Sequence, residues 1–290
     1  MFKALRLASA SALLVGLLGV GAQGCIIGEC DNGKENCIQL EPAYAWYGTE
    51  VNQTLTYTAG KNIRVDAING HVTLLRGAST TQMTVKFMPF SLRGGDEETV
   101  AQQDMNNDLI LSTDDTLATE VLIVTDRTPN GSGGLGADIE IVLPAGFDGG
   151  VTVDNGNGSI EADLTGGLPA FTTMTIRGAG DIAVDGAAGK LDVTGPFSID
   201  VGVQAWSTEV GRVIGDRDMI FRVAPGLSGH VVAQAGSDGA VIGPSDTSWT
   251  VIETAPNHKE FTFGPDSATA GVVSLSIDGF AFANVTILQE

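Results

Sequence analysis

The chain is poor in cysteine, and this shortage restricts the chemistry available to its body. All three cysteines, Cys25, Cys30 and Cys37, lie near the N-terminus, so the remaining 253 residues (290 − 37) contain none. A Cys–His nucleophile or a cysteine-ligated zinc site in the body is therefore disfavoured. Neither a Gly-x-Ser-x-Gly motif nor a glycine-rich phosphate loop followed by Lys is present either.

Positive charge is also scarce. Lys and Arg number 15 against 35 Asp and Glu, which gives a formal net charge of −20. Nucleic acid and anionic lipid surfaces are poor partners for such a chain, because both would repel it. Charged residues nevertheless make up only 17% of the chain, while glycines number 39. This composition separates the protein from acidic disordered tails and predicts many tight turns.

Long apolar runs are absent beyond the N-terminal segment. Lys3 and Arg6 precede the almost uncharged run Leu7 to Val20, a pattern typical of a secretory signal that is too short to remain as a membrane span. Ala22-Gln-Gly24 before Cys25 resembles a bacterial lipoprotein signal, which implies cleavage before Cys25 and acylation of that residue. Ordinary cleavage after Ala22 is the alternative.

Cysteine parity favours the lipoprotein interpretation. If Cys25 carries lipid, Cys30 and Cys37 are left to form a disulfide across a short turn-forming loop, a bridge that would add about 2–3 kcal/mol of constraint. Ile26 follows Cys25, which by resemblance to the lipoprotein sorting rule implies the outer membrane. We therefore expect a signal peptide at 1–24, a lipidated tether with a disulfide loop at 25–52, and a β domain at 53–290.

Four stretches of this β domain repeat one pattern, in which alternating apolar residues are followed by a glycine-rich turn and more alternating apolar residues. They begin at Ile63, Val151, Met174 and Leu191, and Gly158 lies 22 residues before Gly180. Short repeats of this kind need neighbouring copies to bury their apolar faces. The sequence therefore predicts an all-β fold, a β-solenoid with one short helix in an insertion, and a β-sandwich is the alternative.

Local patterns predict the individual elements. Asp96 to Met105 is predicted to be the helix, with Asp96 as N-cap and Ala101 and Met105 facing inward. Alternating residues predict strands at 54–57, 62–67, 71–74, 83–87, 108–112 and 120–125. We expect Val65, Val153 and Ile176 to lie in one common interior column.

The order of these motifs resembles a known bacterial family, the putative adhesin domain of unknown function that is rich in Asn-Gly turns. The resemblance covers residues 53 to 290 and is carried by the acidic helix, two strands, and Ile139-Glu-Ile-Val-Leu-Pro-Ala-Gly146 running into the turn at Asn157-Gly158. It implies a β-solenoid similar to auto-transporter adhesin heads. The family has no established catalytic residues, so none is transferred.

We therefore expect a non-catalytic envelope lipoprotein, an adhesion or scaffold module that presents its surface to a protein or polysaccharide, with no cofactor and no metal site. Clustered exposed aromatics would mark the partner surface. Trp206 and Trp249 are the candidates, although core packing is the simpler interpretation of both.

One alternative is a polysaccharide-processing enzyme, in which Arg64, Arg177 and Arg222 would share an exposed row with carboxylates. Another is an envelope sensor or chaperone, which no residue of the sequence specifically indicates. The three histidines, His71, His230 and His258, lack the spacing of zinc ligands.

Overall fold

The computed structural model describes residues 25–28, 39–166, 173–187, 189–205, 211–244, 249–265 and 271–289. Two compact units divide the chain. The smaller comprises Met1–Thr49, Met88–Leu109 and Arg127–Gly136, and the larger comprises Glu50–Phe87, Ile110–Asp126 and Ala137–Glu290.

The described residues form strands and one helix, so the predicted all-β fold class is confirmed. The helix is α1, Glu98–Asp108. The strands are β1 Cys25–Gly28, β2 Gln39–Pro42, β3 Tyr44–Tyr47, β4 Val51–Thr56, β5 Asn62–Ala67, β6 Val72–Arg76, β7 Gln82–Arg93, β8 Leu109–Asp114, β9 Glu120–Arg127, β10 Leu135–Leu143, β11 Val151–Asn155, β12 Ile160–Asp163, β13 Thr173–Gly178, β14 Ile182–Ala187, β15 Lys190–Gly195, β16 Ile199–Val203, β17 Gly211–Gly215, β18 Met219–Val223, β19 Gly229–Gln234, β20 Val241–Ile242, β21 Thr250–Ala255, β22 His258–Phe263, β23 Val272–Ile277 and β24 Val285–Gln289.

In the smaller unit, α1 lies near the β3 strand. Ala101 and Met105 are buried, as predicted. The predicted N-cap is wrong: the helix begins at Glu98, and the N-cap residue is Glu97, which makes no side-chain capping bond to the helix. The Glu97 carboxylate instead accepts a hydrogen bond from the Gly94 amide at 2.9 Å, which closes the turn before the helix.

In the larger unit, consecutive strands from β9 to β20 alternate between two sheets. The first sheet contains β20-β24-β18-β16-β14-β12-β6-β10 in that order, and the second contains β21-β22-β19-β23-β17-β15-β13-β11-β5-β9-β8. Each of the four repeats found in the sequence is one crossing between them: β5 to β6, β11 to β12, β13 to β14, and β15 to β16. Most neighbouring strands within each sheet pair in parallel, because successive turns of the chain cross between the sheets in the same direction.

The interior is a set of aligned apolar columns. Val65, Val153 and Ile176 pair in register on neighbouring strands and are completely buried, so the predicted common column is confirmed. Facing residues of the first sheet, including Ile160 and Ile182, are equally in register and 1% exposed. Burial of such side chains contributes about 1.5–3 kcal/mol each, which makes this interior the main source of stability.

Within the described ranges, no helix is both long enough and apolar enough to cross a membrane.

Candidate functional site

The turns that carry the chain from the second sheet to the first are stacked along one edge of the larger unit. Register places Gly70, Gly158 and Gly180 at equivalent positions, each two residues before a strand of the first sheet. The amide of Gly70 donates to the carbonyl of Asn157 at 2.9 Å, so successive turns are in direct backbone contact. A Cβ atom on Gly158 would overlap the carbonyl oxygen of Gly70, and one on Gly180 would overlap that of Gly158. Glycine is required here by the close approach of backbones.

Side chains next to these turns satisfy backbone amides of the following turn. Asp138 accepts from the His71 amide at 2.8 Å, and Asp181 accepts from the Ser198 amide at 3.1 Å. Asp218 accepts in the same way from the Asn284 amide, at 2.8 Å. The carboxylates of Asp138, Asp181 and Asp218 therefore have structural partners in the neighbouring turns.

The same turn edge changes character after Gly180. Register carries the position of Gly180 onto Phe197 and then Arg217, because Ile182, Ile199 and Met219 are aligned. The Arg217 guanidinium carbon lies 4.8 Å from the centre of the Phe197 ring and 5.2 Å from that of Phe280. Such distances are those of cation–π contacts.

Exposure distinguishes this cluster from the other described aromatic residues of the larger unit. Phe197, Phe280 and Phe282 are 39%, 56% and 76% exposed. We call Phe197, Arg217, Phe280 and Phe282 the aromatic ridge. Phe280 reaches Arg217 because its loop is bonded to the preceding turn, through its amide and the Asp216 carbonyl at 2.8 Å.

A shallow depression of about 410 Å³ lies beside the aromatic ridge, and its lining includes the neighbours of two ridge residues, Pro196 and Asp216. Its charged side chains also include Arg177, which lies 3.9 Å from a carboxylate oxygen of Asp154. The depression thus has charged side chains in its lining and lies next to the exposed rings of the aromatic ridge.

In a second depression, of about 360 Å³, the charged Asp148 is held by hydrogen bonds within the protein. Its Asp148 carboxylate accepts bonds from the Tyr57 hydroxyl at 2.8 Å and the Gly60 amide at 2.7 Å. Burial, reinforced by Asp148, raises the pKa of Tyr57 to about 12. The amide and hydroxyl bonds lower the pKa of Asp148 below its usual value. Tyr57 therefore stays protonated and Asp148 ionised near neutral pH, and the two are bonded to each other as donor and acceptor.

The arginines proposed for an enzyme do not converge. Arg64 bonds to Asp66 on the second sheet at 3.0 Å, whereas Arg222 belongs to the first sheet and bonds to Asp200 at 2.8 Å. Arg177 shares the sheet of Arg64 but pairs with Asp154, while Arg64 pairs with Thr152, so these two lie in different rows. The hypothesis of one shared row is wrong, because Arg222 belongs to the other sheet and because Arg64 and Arg177 occupy different register positions.

Trp249, one of the two candidate tryptophans, packs against buried aromatic residues. Trp249 is 6% exposed, its ring is stacked on Phe263 with centres 4.1 Å apart, and its indole nitrogen donates to Gln289 at 2.9 Å. It is a core residue, as the simpler interpretation predicted. Trp206 lies outside the described residues.

The histidines make local polar contacts. His71 lies 3.5 Å from a Glu161 oxygen, and His230 lies 3.6 Å from a Glu260 oxygen. The carbonyl of His258 accepts a bond from the Thr254 hydroxyl at 3.3 Å. Within the described part of the chain, no three His, Cys, Asp or Glu side chains are grouped as metal ligands.

The predicted lipid and disulfide sites lie at the margin of the structure. Cys25 is the first residue of β1, which pairs antiparallel with β2. Cys30 and Cys37 lie outside the described residues.

The sequence did not single out the aromatic ridge. Phe280 and Phe282 stand in Asp278-Gly-Phe-Ala-Phe282, where apolar residues alternate as they would in a strand. The signal that could have separated them is Gly279 next to Asp278, a turn pair that interrupts the alternation.

Comparison with known proteins gives three structural neighbours. One is a putative cell adhesion protein from Clostridium sporogenes, 12% identical, with a TM-score of 0.44 over 83% of this chain and 100% of that one. Another is a putative adhesin from Bacteroides fragilis, 9% identical, with a TM-score of 0.33 over 83% of this chain and 97% of that one. The third is a putative adhesin from Parabacteroides distasonis, 10% identical, with a TM-score of 0.24 over the same shares. No family model and no curated protein sequence matches the chain.

Proposed function

We propose that this protein is a non-catalytic lipoprotein of the cell envelope, an adhesion or scaffold module whose aromatic ridge is the surface that meets a partner. The observation that carries the proposal is the exposure of three phenylalanines on a single turn edge, two of which lie against one arginine. Aromatic residues and arginine are enriched in the centres of protein interfaces.

The ridge residues contribute little to the core, which supports a role outside folding. Phe282 is 76% exposed, so most of its ring surface remains in water. Keeping an aromatic ring in water forfeits about 1.5–3 kcal/mol of burial free energy. A cluster of such rings is therefore more simply explained by a partner that covers it than by stability.

The arrangement of charge supports a non-catalytic role. In the second depression Tyr57 and Asp148 are committed to each other, and Arg64, Arg177 and Arg222 face separate carboxylates. Acid–base catalysis of glycoside cleavage needs two carboxyl groups of different protonation state facing one substrate bond. The charged side chains of Asp148 and of the three arginines are instead engaged in bonds within the protein.

For its location, we propose a lipid anchor on Cys25 in the outer membrane, a tether up to residue 52, and a β-solenoid body from residue 53. Two or three acyl chains, at about 0.8 kcal/mol per buried methylene, would hold the body at the membrane. Such an anchor requires only the cysteine and the signal segment that precedes it.

Capture of envelope material tests the contact surface. The full chain is immobilised on beads, and binding of outer-membrane vesicles from the producing bacterium is measured. The double variant Phe280→Ser, Phe282→Ser should reduce capture about tenfold or more, as expected for loss of central aromatic contacts. Tyr44→Ser with Tyr47→Ser is the matched control, because these rings are 52% and 48% exposed in the smaller unit. Unchanged capture by the ridge variant, or release of sugar fragments from the vesicles, would overturn the proposal.

Fractionation tests the anchor. Cys25→Ser should move the protein from the membrane to the soluble fraction, because the acylated sulfur is lost. Mass spectrometry of the wild-type N-terminal peptide should show the added acyl mass. Retention of Cys25→Ser in the membrane fraction would contradict acylation at this residue.

A further inference from the structure

We infer that the aromatic ridge recognises a cationic segment of a partner protein, one that presents lysine or arginine side chains. This inference rests on the proposed function of the ridge and names the chemistry of its ligand. It comes from the charges that surround the ridge and from the arginine that the ridge already holds.

The turns bonded to the ridge carry an excess of carboxylates. Asp216 and Asp278 lie on adjacent turns, joined by the bond from the Asp278 amide to the Gly215 carbonyl at 2.9 Å. Asp238 lies against the Phe280–Phe282 loop, since its amide donates to the Ala281 carbonyl at 2.7 Å. Within the described turns 195–198, 215–218, 236–240 and 278–284, Arg217 is the one basic residue.

These carboxylates are not neutralised locally. Among the described residues, Asp216, Asp238 and Asp278 take part in no ion pair, and Asp238 and Asp278 are exposed. Arg217 cannot offset all three, because it carries a single positive charge, and its guanidinium lies over two phenylalanine rings. The local potential is therefore negative, which attracts a cationic ligand and repels anionic lipid.

Arg217 shows how the ridge would hold a cationic side chain, with the charge placed over phenylalanine rings. A guanidinium at 4.8 and 5.2 Å from two ring centres is held by the rings' negative faces. Phe282 is more exposed than either of those rings and makes no ring contact within the described part of the chain. Its face can take a second cation, whose charge would then be close to the Asp238 and Asp278 turns. The methylene groups of a lysine or arginine would cover the apolar edge.

Peptide binding by the full chain tests this inference. The probe is a fluorescent nine-residue peptide of alternating lysine and glycine, with glutamine and glutamate versions as comparisons, and anisotropy is followed at several salt concentrations. We expect binding of the lysine peptide, at least fivefold weaker binding of the glutamine peptide, and loss of affinity as salt increases. Equal binding of the lysine and glutamine peptides would overturn the inference.

Matched variants separate the ridge from the charge of the whole protein. Asp238→Asn with Asp278→Asn should weaken lysine-peptide binding at least fivefold, whereas Asp96→Asn with Glu98→Gln removes the same charge elsewhere and should change it less than twofold. Phe282→Leu keeps an apolar side chain without a ring face, and it should weaken binding almost as much as Phe282→Ser. Equal effects of the two charge variants, or full binding by Phe282→Leu, would contradict the inference.

The two proposals can fail separately. If the ridge variant loses vesicle capture while the wild-type chain binds a neutral oligosaccharide or zwitterionic vesicles in preference to the lysine peptide, the cationic ligand is wrong and the contact surface stands. If the ridge variant keeps full vesicle capture, both fall.

Discussion

Two parts of one turn edge make the same crossing between sheets with opposite chemistry. At Gly70, Gly158 and Gly180 the backbones approach so closely that no side chain fits. At Phe197 and Arg217, which are aligned with Gly180, large side chains project outward. The comparison separates residues that the fold requires from residues that it merely tolerates, and the tolerated ones form the aromatic ridge.

The largest expected difference between the two parts is in stability. Gly158→Ala places a Cβ atom against the Gly70 carbonyl at a backbone φ of +122°, so strain and overlap should together cost about 3–5 kcal/mol. Gly226→Ala is the matched control, since Gly226 has a φ of +83° with no atom within 4 Å, and it should cost about 1–2 kcal/mol. Urea unfolding measures both. Equal losses would mean that close stacking of the turns is not what requires glycine.

A smaller effect is expected at the ridge. Arg217→Ala removes two exposed cation–π contacts and should cost about 1 kcal/mol in urea unfolding. Arg217→Lys should recover part of this loss, because a lysine keeps the charge but not the planar group. A loss above about 3 kcal/mol would place Arg217 among the residues that the fold requires and would remove the contrast between the two parts.

The smallest effect is a pH dependence in the glycine-containing part. Burial raises the pKa of Asp138 above its usual value. A raised pKa in the folded state contributes stability that is complete below the unfolded pKa and is lost as pH rises through the folded pKa. Asp138→Asn keeps an acceptor for the His71 amide and should be more stable than the wild type at pH 7, with the difference disappearing near pH 3.

Asp218→Asn is the control for that measurement, because Asp218 accepts an equivalent amide bond from an exposed position. It should show no gain at pH 7. If Asp138→Asn is less stable than the wild type at pH 7, the carboxylate is favoured in its charged form and the burial argument is wrong.

Periodicity predicted the interior well, because one physical constraint decides it. The strand at Asn62–Ala67 has the predicted bounds, and Val65, Val153 and Ile176 share the predicted column. Alternation alone determines which face of a strand is buried. The start of the helix was predicted less well, since Asp96, Glu97 and Glu98 offer similar capping chemistry and the turn bond to Gly94 selects Glu97.

The site was not predictable in the same way. Alternation treats Phe280 and Phe282 as core residues, because it does not show that the strand ends at Ile277, before the turn pair Asp278-Gly279. Phe197 occupies the position of the stack that follows Gly180, and only the register of β14 and β16 reveals this. Arg64, Arg177 and Arg222 lie in three different strands, and which sheet each strand joins is a tertiary property that alternation does not determine.

Radical footprinting of the full chain, free and bound to outer-membrane vesicles, tests the central claim most directly. The account predicts protection of Phe197, Phe280 and Phe282 from oxidation on binding, with Tyr44 and Tyr47 oxidised equally in both states. Protection of the two tyrosines with unchanged oxidation of the three phenylalanines would contradict it.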